Sequence, residues 1–467
     1  MPYLLIDNFI GGLDTRKSAL TSPPGTLQRL NDCVITPGGE IAKRKAFIQV
    51  ADLTGTFGLA ATEATLYAFR RNVATPIAPS SGVPGVALVY QTLPNASPTL
   101  VQTDYDTYDG GVYFVGSDSA APTNPHYYNA VVTEGAGHGY YVRTYGTKMY
   151  AVLGKYIYFS CVGNPQFWTN VDPHVGAGFI NLSTQDSGGE ALVSLEIYYD
   201  KLSIFSSEAS QLWSMDTDPL QNVLDQVLRG AGTITPQGSL QYGSGDVLYL
   251  SQTGIRSIKA RDASNSGAVS DIGSPVDFEI QNLFTARGEG YFATARALLE
   301  PIVGRFWMIF NDQIFVLSYF PGPKITAWSR YTVPFNIDYA VACGGHIFLR
   351  SGNTLYAYGG VDGNTYDATV AEVRLPYHDM SKPGNNKIFE ALDMTVQGNW
   401  TVKNSFDFTN PDNEETLGTF SAPTWRTGRA SFTGDSSHFS LRFYTTGSGP
   451  ATLSNAAVHY RLADDEA

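Results

Sequence analysis

Short apolar or alternating segments, separated by polar or glycine-bearing turns, recur along most of this sequence. Between about residues 60 and 370, a strand-like segment is followed by a turn and then by a second strand-like segment. Five segments of the first kind are evident, at residues 155–160, 201–206, 246–251, 305–310 and 346–351. Their starts lie 46, 45, 59 and 41 residues apart, so the chain contains an approximate repeat.

Each repeat also contains a second segment that fits a β-hairpin. These segments lie at residues 211–215, 254–258, 313–317 and 354–358, after polar or glycine-bearing turns. Earlier strand-like segments at 65–69, 85–90 and 111–115 continue the pattern. A repeat of about 40–50 residues built from short strands is typical of propeller blades, because radial packing covers both faces of each small sheet. We therefore predict an all-β fold in which residues 51–370 form an irregular β-propeller of about six or seven blades.

The two ends of the chain depart from this rhythm. Residues 1–50 contain two glycine pairs and a basic triplet, and we expect them to form an extended arm and the first strand. In residues 371–467, Phe439, Leu441 and Phe443 alternate with polar neighbours, which predicts a small C-terminal β-sandwich. Two segments break the strand pattern: residues 274–283 carry helix-start signals, and residues 219–228 predict a second short helix.

Composition narrows the class of protein. Aromatic residues make up 13% of the chain, beside 47 Gly and 25 Pro, as expected for many strands joined by tight turns. The net charge of −13 disfavours a protein that grips nucleic acid, but it suits a surface along which DNA passes without sticking. The three cysteines lie far apart, without the spacing of a zinc site or a disulfide framework. The sequence shows no secretory signal and no apolar stretch of about 18 residues, so we expect no membrane span.

Motifs that carry catalytic chemistry are not apparent. The seven histidines are scattered, and the sequence contains neither a nucleophile elbow nor a phosphate-binding loop. We therefore expect no catalytic, cofactor or metal site. Two alternatives stay open: a polysaccharide-hydrolysing propeller with a carboxylate pair on neighbouring blades, and a carbohydrate-binding propeller with aromatic platforms such as Tyr127-Tyr128 or Tyr140-Tyr141.

Three parts of the sequence resemble one family. The first is the N-terminal run with Gly11-Gly12, Asn31, Gly38-Gly39 and Lys43-Arg44; the others are residues 195–250 and the closing residues 438–460. In their order along the chain, these parts resemble the tail nozzle proteins of short-tailed bacteriophages, which are also called packaged-DNA stabilisation or tail tubular proteins. The chain is shorter than the longest nozzles and is similar to the compact form.

The resemblance implies a structural, non-enzymatic virion component. Six copies would form a ring in the tail, below the portal and its head-tail adaptor ring, with tail fibres or spikes nearby. The ring would retain packaged genomic DNA and conduct it through its bore during ejection, without binding it specifically.

The N-terminal arm is the predicted docking element for the adaptor ring, because an extended segment can add a strand to the sheet edge of another subunit. The alternative is that the arm closes the propeller by completing its last blade. The predicted docking residues are Phe9, Gly11, Gly12, Leu13, Lys43, Arg44 and Lys45.

Overall fold

The protein is described by a computed structural model. The structure describes residues 2–71, 80–93, 96–119, 121–123, 126–129, 131–134, 139–183, 190–243, 245–263 and 271–463. Strands comprise 51% of the described residues and helices 8%, so the predicted all-β class is confirmed. No helix in the described ranges has the length and apolar character needed to cross a membrane.

Seven small sheets follow one another along the chain, and we number them in that order. Their strands are as follows: sheet 1, Thr56–Ala61, Thr65–Arg70 and Ala87–Thr92; sheet 2, Leu100–Tyr108, Gly111–Asp118, Ala121–Pro122, His126–Asn129 and Val131–Glu134; sheet 3, Tyr141–Tyr145, Lys148–Leu153, Tyr156–Phe159 and Gly178–Asn181; sheet 4, Leu192–Tyr198, Lys201–Ser206, Ala209–Ser214 and Val223–Arg229. The remaining three sheets are sheet 5, Ser239–Gln241, Val247–Ser251 and Gly254–Ser257; sheet 6, Arg296–Leu299, Phe306–Phe310, Gln313–Phe320 and Ile325–Thr332; and sheet 7, Tyr339–Cys343, His346–Ser351, Thr354–Tyr358 and the N-terminal Phe47–Asp52.

The five segments predicted as first strands are all strands, but none is the first strand of its sheet. Tyr156–Phe159 is the third strand of sheet 3, and the other four are second strands. The second strands stand out in the sequence because neighbouring sheets cover both of their faces; Phe306–Phe310, for example, is buried at every position. Some first strands, such as Leu100–Tyr108, carry several polar residues, and the apolar pattern does not identify them.

Consecutive sheets pack face to face. Separate apolar cores join sheets 1 and 2, 2 and 3, 3 and 4, 4 and 5, 6 and 7, and 7 and 1, and a larger core includes sheets 5 and 6. The first strand of each sheet also contacts the first strand of the next, and Tyr339–Cys343 of sheet 7 contacts Thr56–Ala61 of sheet 1. The contacts between first strands therefore run from sheet 1 through sheet 7 and back to sheet 1.

Two further sheets combine C-terminal strands with N-terminal ones, and we call them the two-sheet unit. One contains Ala430–Ser436, Lys387–Gln397, Thr452–Leu462, Ile41–Lys43, Cys33–Ile35 and Tyr3–Ile6. The other contains Arg29–Asn31, Ala371–Arg374, Ser440–Thr445, Trp400–Ser405 and Glu415–Phe420. Their apolar faces share one core, which includes Leu392 and Val458 from the first sheet and Phe443 from the second. Phe439, Leu441 and Phe443 are all fully buried, as the alternation predicts, but the polar neighbour Ser440 is buried as well.

The N-terminal residues join these parts and do not form a separate arm. Gly12–Leu13 pairs in parallel with Thr26–Leu27, and Gly12 also pairs with Trp328 of sheet 6. Asn31 pairs with Arg330 of sheet 6 and with Glu372, so sheet 6 and the second sheet of the two-sheet unit are parts of one continuous eleven-stranded sheet. The division of the sequence at residue 50 therefore does not separate one sheet from another.

Helices are few and short. The α-helices span Ile258–Ala263, Asp277–Arg287, Glu289–Phe292 and Thr424–Thr427, and 3-10 turns span Pro219–Gln221 and Ser274–Val276. The helix predicted at residues 274–283 is confirmed. The helix predicted at 219–228 is wrong, because Val223–Arg229 pairs antiparallel with Ala209–Ser214 as an edge strand after a single 3-10 turn. A short isolated helix is only marginally stable in water, whereas pairing with Ala209–Ser214 extends an existing sheet.

Candidate functional site

The first strands of sheets 2, 3 and 4 place a cluster of charged side chains where these strands meet. Arg143 Nη2 lies 3.0 Å from Glu196 Oε2, and Arg143 Nη1 lies 4.0 Å from Asp106 Oδ2. The backbone N–H of Val142 donates to Asp104 Oδ2 at 3.0 Å, so this carboxylate also joins sheets 2 and 3. We call Asp104, Asp106, Arg143 and Glu196 the axial charge cluster.

Burial perturbs the titration of this cluster. It raises the pKa of the Asp104 carboxyl to about 6, although Arg143 and the Val142 N–H act in the opposite direction. Burial likewise raises the pKa of Glu196 despite the attraction of Arg143. For Arg143, burial disfavours the charge, but Glu196, Asp106 and Asp104 outweigh it and raise the pKa. The cluster thus holds a permanent cation beside two carboxyl groups, those of Asp104 and Glu196, that retain protons to a higher pH than usual.

A second group of side chains lies next to this cluster. The side-chain amides of Gln102 and Gln237 each donate to the Tyr339 hydroxyl oxygen at 2.9 Å. Gln237 Nε2 also lies 3.1 Å from Asp104 Oδ1, and the Arg296 guanidinium carbon sits 3.2 Å from the centre of the Tyr339 ring. Side chains from sheets 2, 6 and 7 and from the segment before sheet 5 therefore fill the space between the first strands.

Two cavities flank this group, and Gln237, Arg296 and Tyr339 line both of them. The larger axial cavity has a volume of about 420 Å³ and is also lined by Tyr141 and Arg350. The smaller axial cavity has a volume of about 240 Å³, and its lining includes Asp104, Asp106 and Arg143. The larger volume lies within the range of small-molecule sites, which is about 300–1,000 Å³.

The predicted docking residues at the start of the chain lie inside the protein. Phe9 and Leu13 are fully buried in the core shared with the two-sheet unit. Gly12 has a φ of +55°, and a Cβ there would lie 2.8 Å from the Ala327 Cα. A Cβ at Gly11 would lie 2.9 Å from the Gly25 carbonyl oxygen. This glycine pair therefore allows the close approach of the N-terminal segment to sheet 6.

The predicted basic residues are also held by the chain itself. Arg44 is buried, with its Nε 2.6 Å from Asp32 Oδ1 and its Nη1 3.2 Å from Asp367 Oδ2. The ammonium groups of Lys43 and Lys45 donate to backbone carbonyls, at distances of 2.5–2.7 Å. These contacts fix the segment that leads into Phe47–Asp52, the strand that completes sheet 7. The adaptor-docking role of the seven residues stays a prediction.

The aromatic pairs predicted as sugar-binding platforms pack against other residues of the chain or line a cavity. Tyr127 is buried, its hydroxyl donates to the Tyr108 carbonyl, and the Tyr128 ring packs at 5.4 Å from that of Tyr67. Tyr140 and Tyr141 lie 6.1 Å apart, and Tyr141 lines the larger axial cavity. Across the described part of the chain, no group of three or more acidic, histidine or cysteine side chains is placed to hold a metal ion.

Sequence reasoning missed the axial charge cluster and the neighbouring group of Gln102, Gln237, Arg296 and Tyr339. One signal was present: Gln102, Asp104 and Asp106 are polar positions two apart in an otherwise strand-like segment. Such a spacing places side chains on one face of a strand, although a bulge between Gln102 and Asp104 interrupts the register here. Glu196, Gln237 and Arg296 carry no comparable signal, because their approach depends on how the sheets are arranged.

Comparisons with known proteins give little further guidance. No family model and no curated protein matches the chain. Among solved structures, the extracellular domain of a hybrid two-component system from B. thetaiotaomicron is similar at 8% identity and a TM-score of 0.42, over 86% of this chain and 58% of that one. An extracellular domain from the same organism, described as a one-component system, is similar at 8% identity and a TM-score of 0.41, over 86% of this chain and 58% of that one. Hsv2 from Kluyvelomyces marxianus is similar at 10% identity and a TM-score of 0.33, over 55% of this chain and 71% of that one.

The chain thus spans 58% of the length of the bacterial domains that it matches. At these TM-scores the similarities carry no conclusion about fold or function.

Proposed function

We propose that the seven small sheets are the blades of a seven-bladed β-propeller and that the two-sheet unit is a β-sandwich attached to it. The support is the return of contacts from sheet 7 to sheet 1, together with the apolar cores between consecutive sheets. Phe47–Asp52 would close the ring, because it completes a sheet whose other strands come from residues 339–358. Closure of this kind ties the two ends of a propeller together and protects a sheet edge.

We further propose that the protein is a subunit of the tail nozzle of a short-tailed phage. The observation that carries this proposal is the placement of the residues on which the family resemblance rests. Gly11, Gly12 and Asn31 lie where the N-terminal segment meets sheet 6, and Arg44 anchors the strand that completes sheet 7. The shared motifs would therefore specify the joint between propeller and sandwich, and a nozzle subunit needs such a joint to keep its shape in a ring.

DNA would pass through the centre of the hexameric ring and not through a single subunit. Gln237, Arg296 and Tyr339 fill the space between the first strands, and the two axial cavities are far too small for a duplex. The net charge of −13 suits a wall that does not retain phosphate groups, and its repulsion would act within about 10 Å at 0.1 M salt. A bore lined chiefly by Lys and Arg would contradict this part of the proposal.

Electron microscopy tests the proposal. The recombinant chain is mixed with the head-tail adaptor ring of its phage, and a matched sample omits the adaptor. We expect six copies in a ring on the adaptor, and antibody against the chain should label the tail of intact virions. Virions in which this polypeptide is absent from the tail would refute the nozzle role.

A polysaccharide-hydrolysing propeller is the second candidate, because Asp104 and Glu196 are buried carboxyl groups with raised pKa values and Asp104 lines the smaller axial cavity. Hydrolysis needs one carboxyl group that holds a proton near neutral pH and a second that is ionised. Release of reducing ends from a polysaccharide panel tests it, with Asp104→Asn as the variant and the exposed Asp362→Asn as the control. No release by the wild-type chain, or equal release by D104N, excludes this candidate.

A further inference from the structure

We propose that the larger axial cavity binds the oxyanion of a small molecule, either a carboxylate or a phosphate group. The site lies at the amino-terminal ends of several first strands, where Gln102, Tyr141, Arg296 and Tyr339 line it. This inference does not depend on the nozzle proposal. Failure of ring assembly would leave it intact, and failure of anion binding would leave the nozzle proposal intact.

Arg296 is the principal anchor of the proposed site. Among the described residues, no carboxylate lies within 4.0 Å of its guanidinium nitrogens, and its Nε, shielded from solvent, has no hydrogen-bond partner. Its guanidinium carbon lies 3.2 Å from the centre of the Tyr339 ring, and this contact holds the guanidinium in place. A guanidinium held in one orientation can offer parallel N–H donors to an oxyanion, and the entropy of ordering it has already been lost on folding.

Arg350 supplies a second cation to the same cavity. Its Nη1 donates to the Thr56 carbonyl at 2.8 Å, and its Nη2 lies 3.9 Å from Asp338 Oδ2, whereas its Nε has no partner. Asp338 also accepts from the Gly352 N–H at 2.6 Å, so its carboxylate interacts with Gly352 as well as with Arg350. With Arg296 and Arg350 against Asp338, the lining carries a net positive charge inside a net-acidic protein.

The cavity is large enough and open enough for such a ligand. Its volume of about 420 Å³ falls within the usual range for small-molecule sites. Val101, Ala293 and Thr294 at its margin are exposed, so a ligand can enter from solvent. The Tyr141 ring on its wall offers an apolar surface to the body of the molecule that carries the oxyanion.

Isothermal titration calorimetry on the full chain tests the inference with three probes: inorganic phosphate, glucuronate and the uncharged control glucose. We expect saturable binding of phosphate or glucuronate with a dissociation constant of about 1 mM or below, and no binding of glucose. Arg296→Gln should weaken that binding about tenfold or more, because it removes a charge-assisted contact. Arg229→Gln, which changes an exposed arginine of sheet 4, is the matched control and should leave it unchanged.

Thr294→Trp provides an independent variant if R296Q does not fold. It leaves Arg296 in place and fills the mouth of the cavity from an exposed position, so it should abolish binding without lowering the melting temperature. Binding of phosphate alone would identify a phosphate ligand, and binding of glucuronate alone a carboxylate ligand. Absence of binding to both anions, or unchanged binding by R296Q or T294W, would overturn the inference.

Discussion

Replacing Arg44 by methionine tests whether the basic N-terminal triplet is structural. The Arg44 guanidinium is fully buried and contacts Asp32 at 2.6 Å, the Lys45 carbonyl at 2.7 Å, Asp367 at 3.2 Å and the Thr369 hydroxyl at 3.1 Å. Arg44→Met leaves the Asp32 carboxylate buried without its cation. We therefore expect the free energy of unfolding to fall substantially, and the segment leading into Phe47–Asp52 to lose its anchor.

The magnitude follows from the burial of the pair. Breaking a buried ion pair from one side typically costs about 3–5 kcal/mol, whereas an exposed pair contributes about 1 kcal/mol or less. Arg29→Met is the matched control, because Arg29 is 44% exposed in its ion pair with Glu372. The double variant Asp32→Asn/Arg44→Met should recover part of the loss, since it leaves no unpaired charge.

Urea denaturation, followed by tryptophan fluorescence and circular dichroism, measures these losses as shifts of the transition midpoint. The pH dependence gives a second readout. Burial raises the pKa of Asp32 above 3.8 even though Arg44 opposes this, so the folded chain holds the proton more tightly than the unfolded chain. The contribution of this group to stability therefore falls as pH rises through the folded-state pKa.

Loss of Arg44 removes the opposing attraction and raises the pKa of Asp32 further. The deficit of R44M relative to wild type should therefore be larger at about pH 8 than at about pH 5, and D32N/R44M should lack this pH dependence. A midpoint for R44M no lower than that of R29M would refute the reasoning. It would mean that Arg44 is dispensable for the fold and free to serve a partner.

The remaining three predictions concern the N-terminal segment and the axial charge cluster. Gly12→Ala should lower the free energy of unfolding by about 1–3 kcal/mol, because it combines a positive φ with a clash against Ala327. Gly146→Ala is the control and should cost less, because Gly146 has a similar φ but open space around it. Thermal melting compares the two variants. The pKa of Asp104 is about 6 in the folded chain against 3.8 for the free group, so the stability of the wild type falls as pH rises between these values. Asp104→Asn should remove this dependence of stability on pH, which amounts to at most about 3 kcal/mol. Urea denaturation midpoints measured across pH 4–8 report it. Deleting residues 1–20 should lower the melting temperature of the monomer, because Phe9 and Leu13 are buried in the core. Loss of adaptor binding alone, with an unchanged melting temperature, would instead mean that this segment is a docking element.

Much of the secondary structure could be predicted from the sequence. Val247–Ser251 and Phe306–Phe310 are buried on both faces, so their unbroken apolar runs identify them as strands. The helix at 274–283 followed from its starting signals, and the strand at 439–443 followed from the alternation of apolar and polar residues. The strand at Val223–Arg229 could not be told from a helix, because its backbone partner is another segment of the chain.

The candidate site was beyond the reach of the sequence for a related reason. Arg143 and Glu196 are 53 positions apart, and their contact requires two first strands from different sheets to lie side by side. Tyr339 and Arg296 meet only because sheets 6 and 7 are adjacent. Polar residues in a short strand look the same in a sequence whether they face solvent or a shared interior.

The sequence by itself determined the all-β class, the approximate repeat and the glycine and basic positions of the N-terminal segment, because hydrophobic periodicity and turn residues act locally. The tertiary structure alone decided that this segment is buried, that it completes sheet 7 and that it unites the two-sheet unit with sheet 6. It also decided which polar side chains meet between the first strands. These outcomes depend on long-range pairing, in which burial of apolar faces selects the partner and thereby sets the electrostatic surroundings of groups far apart in the chain.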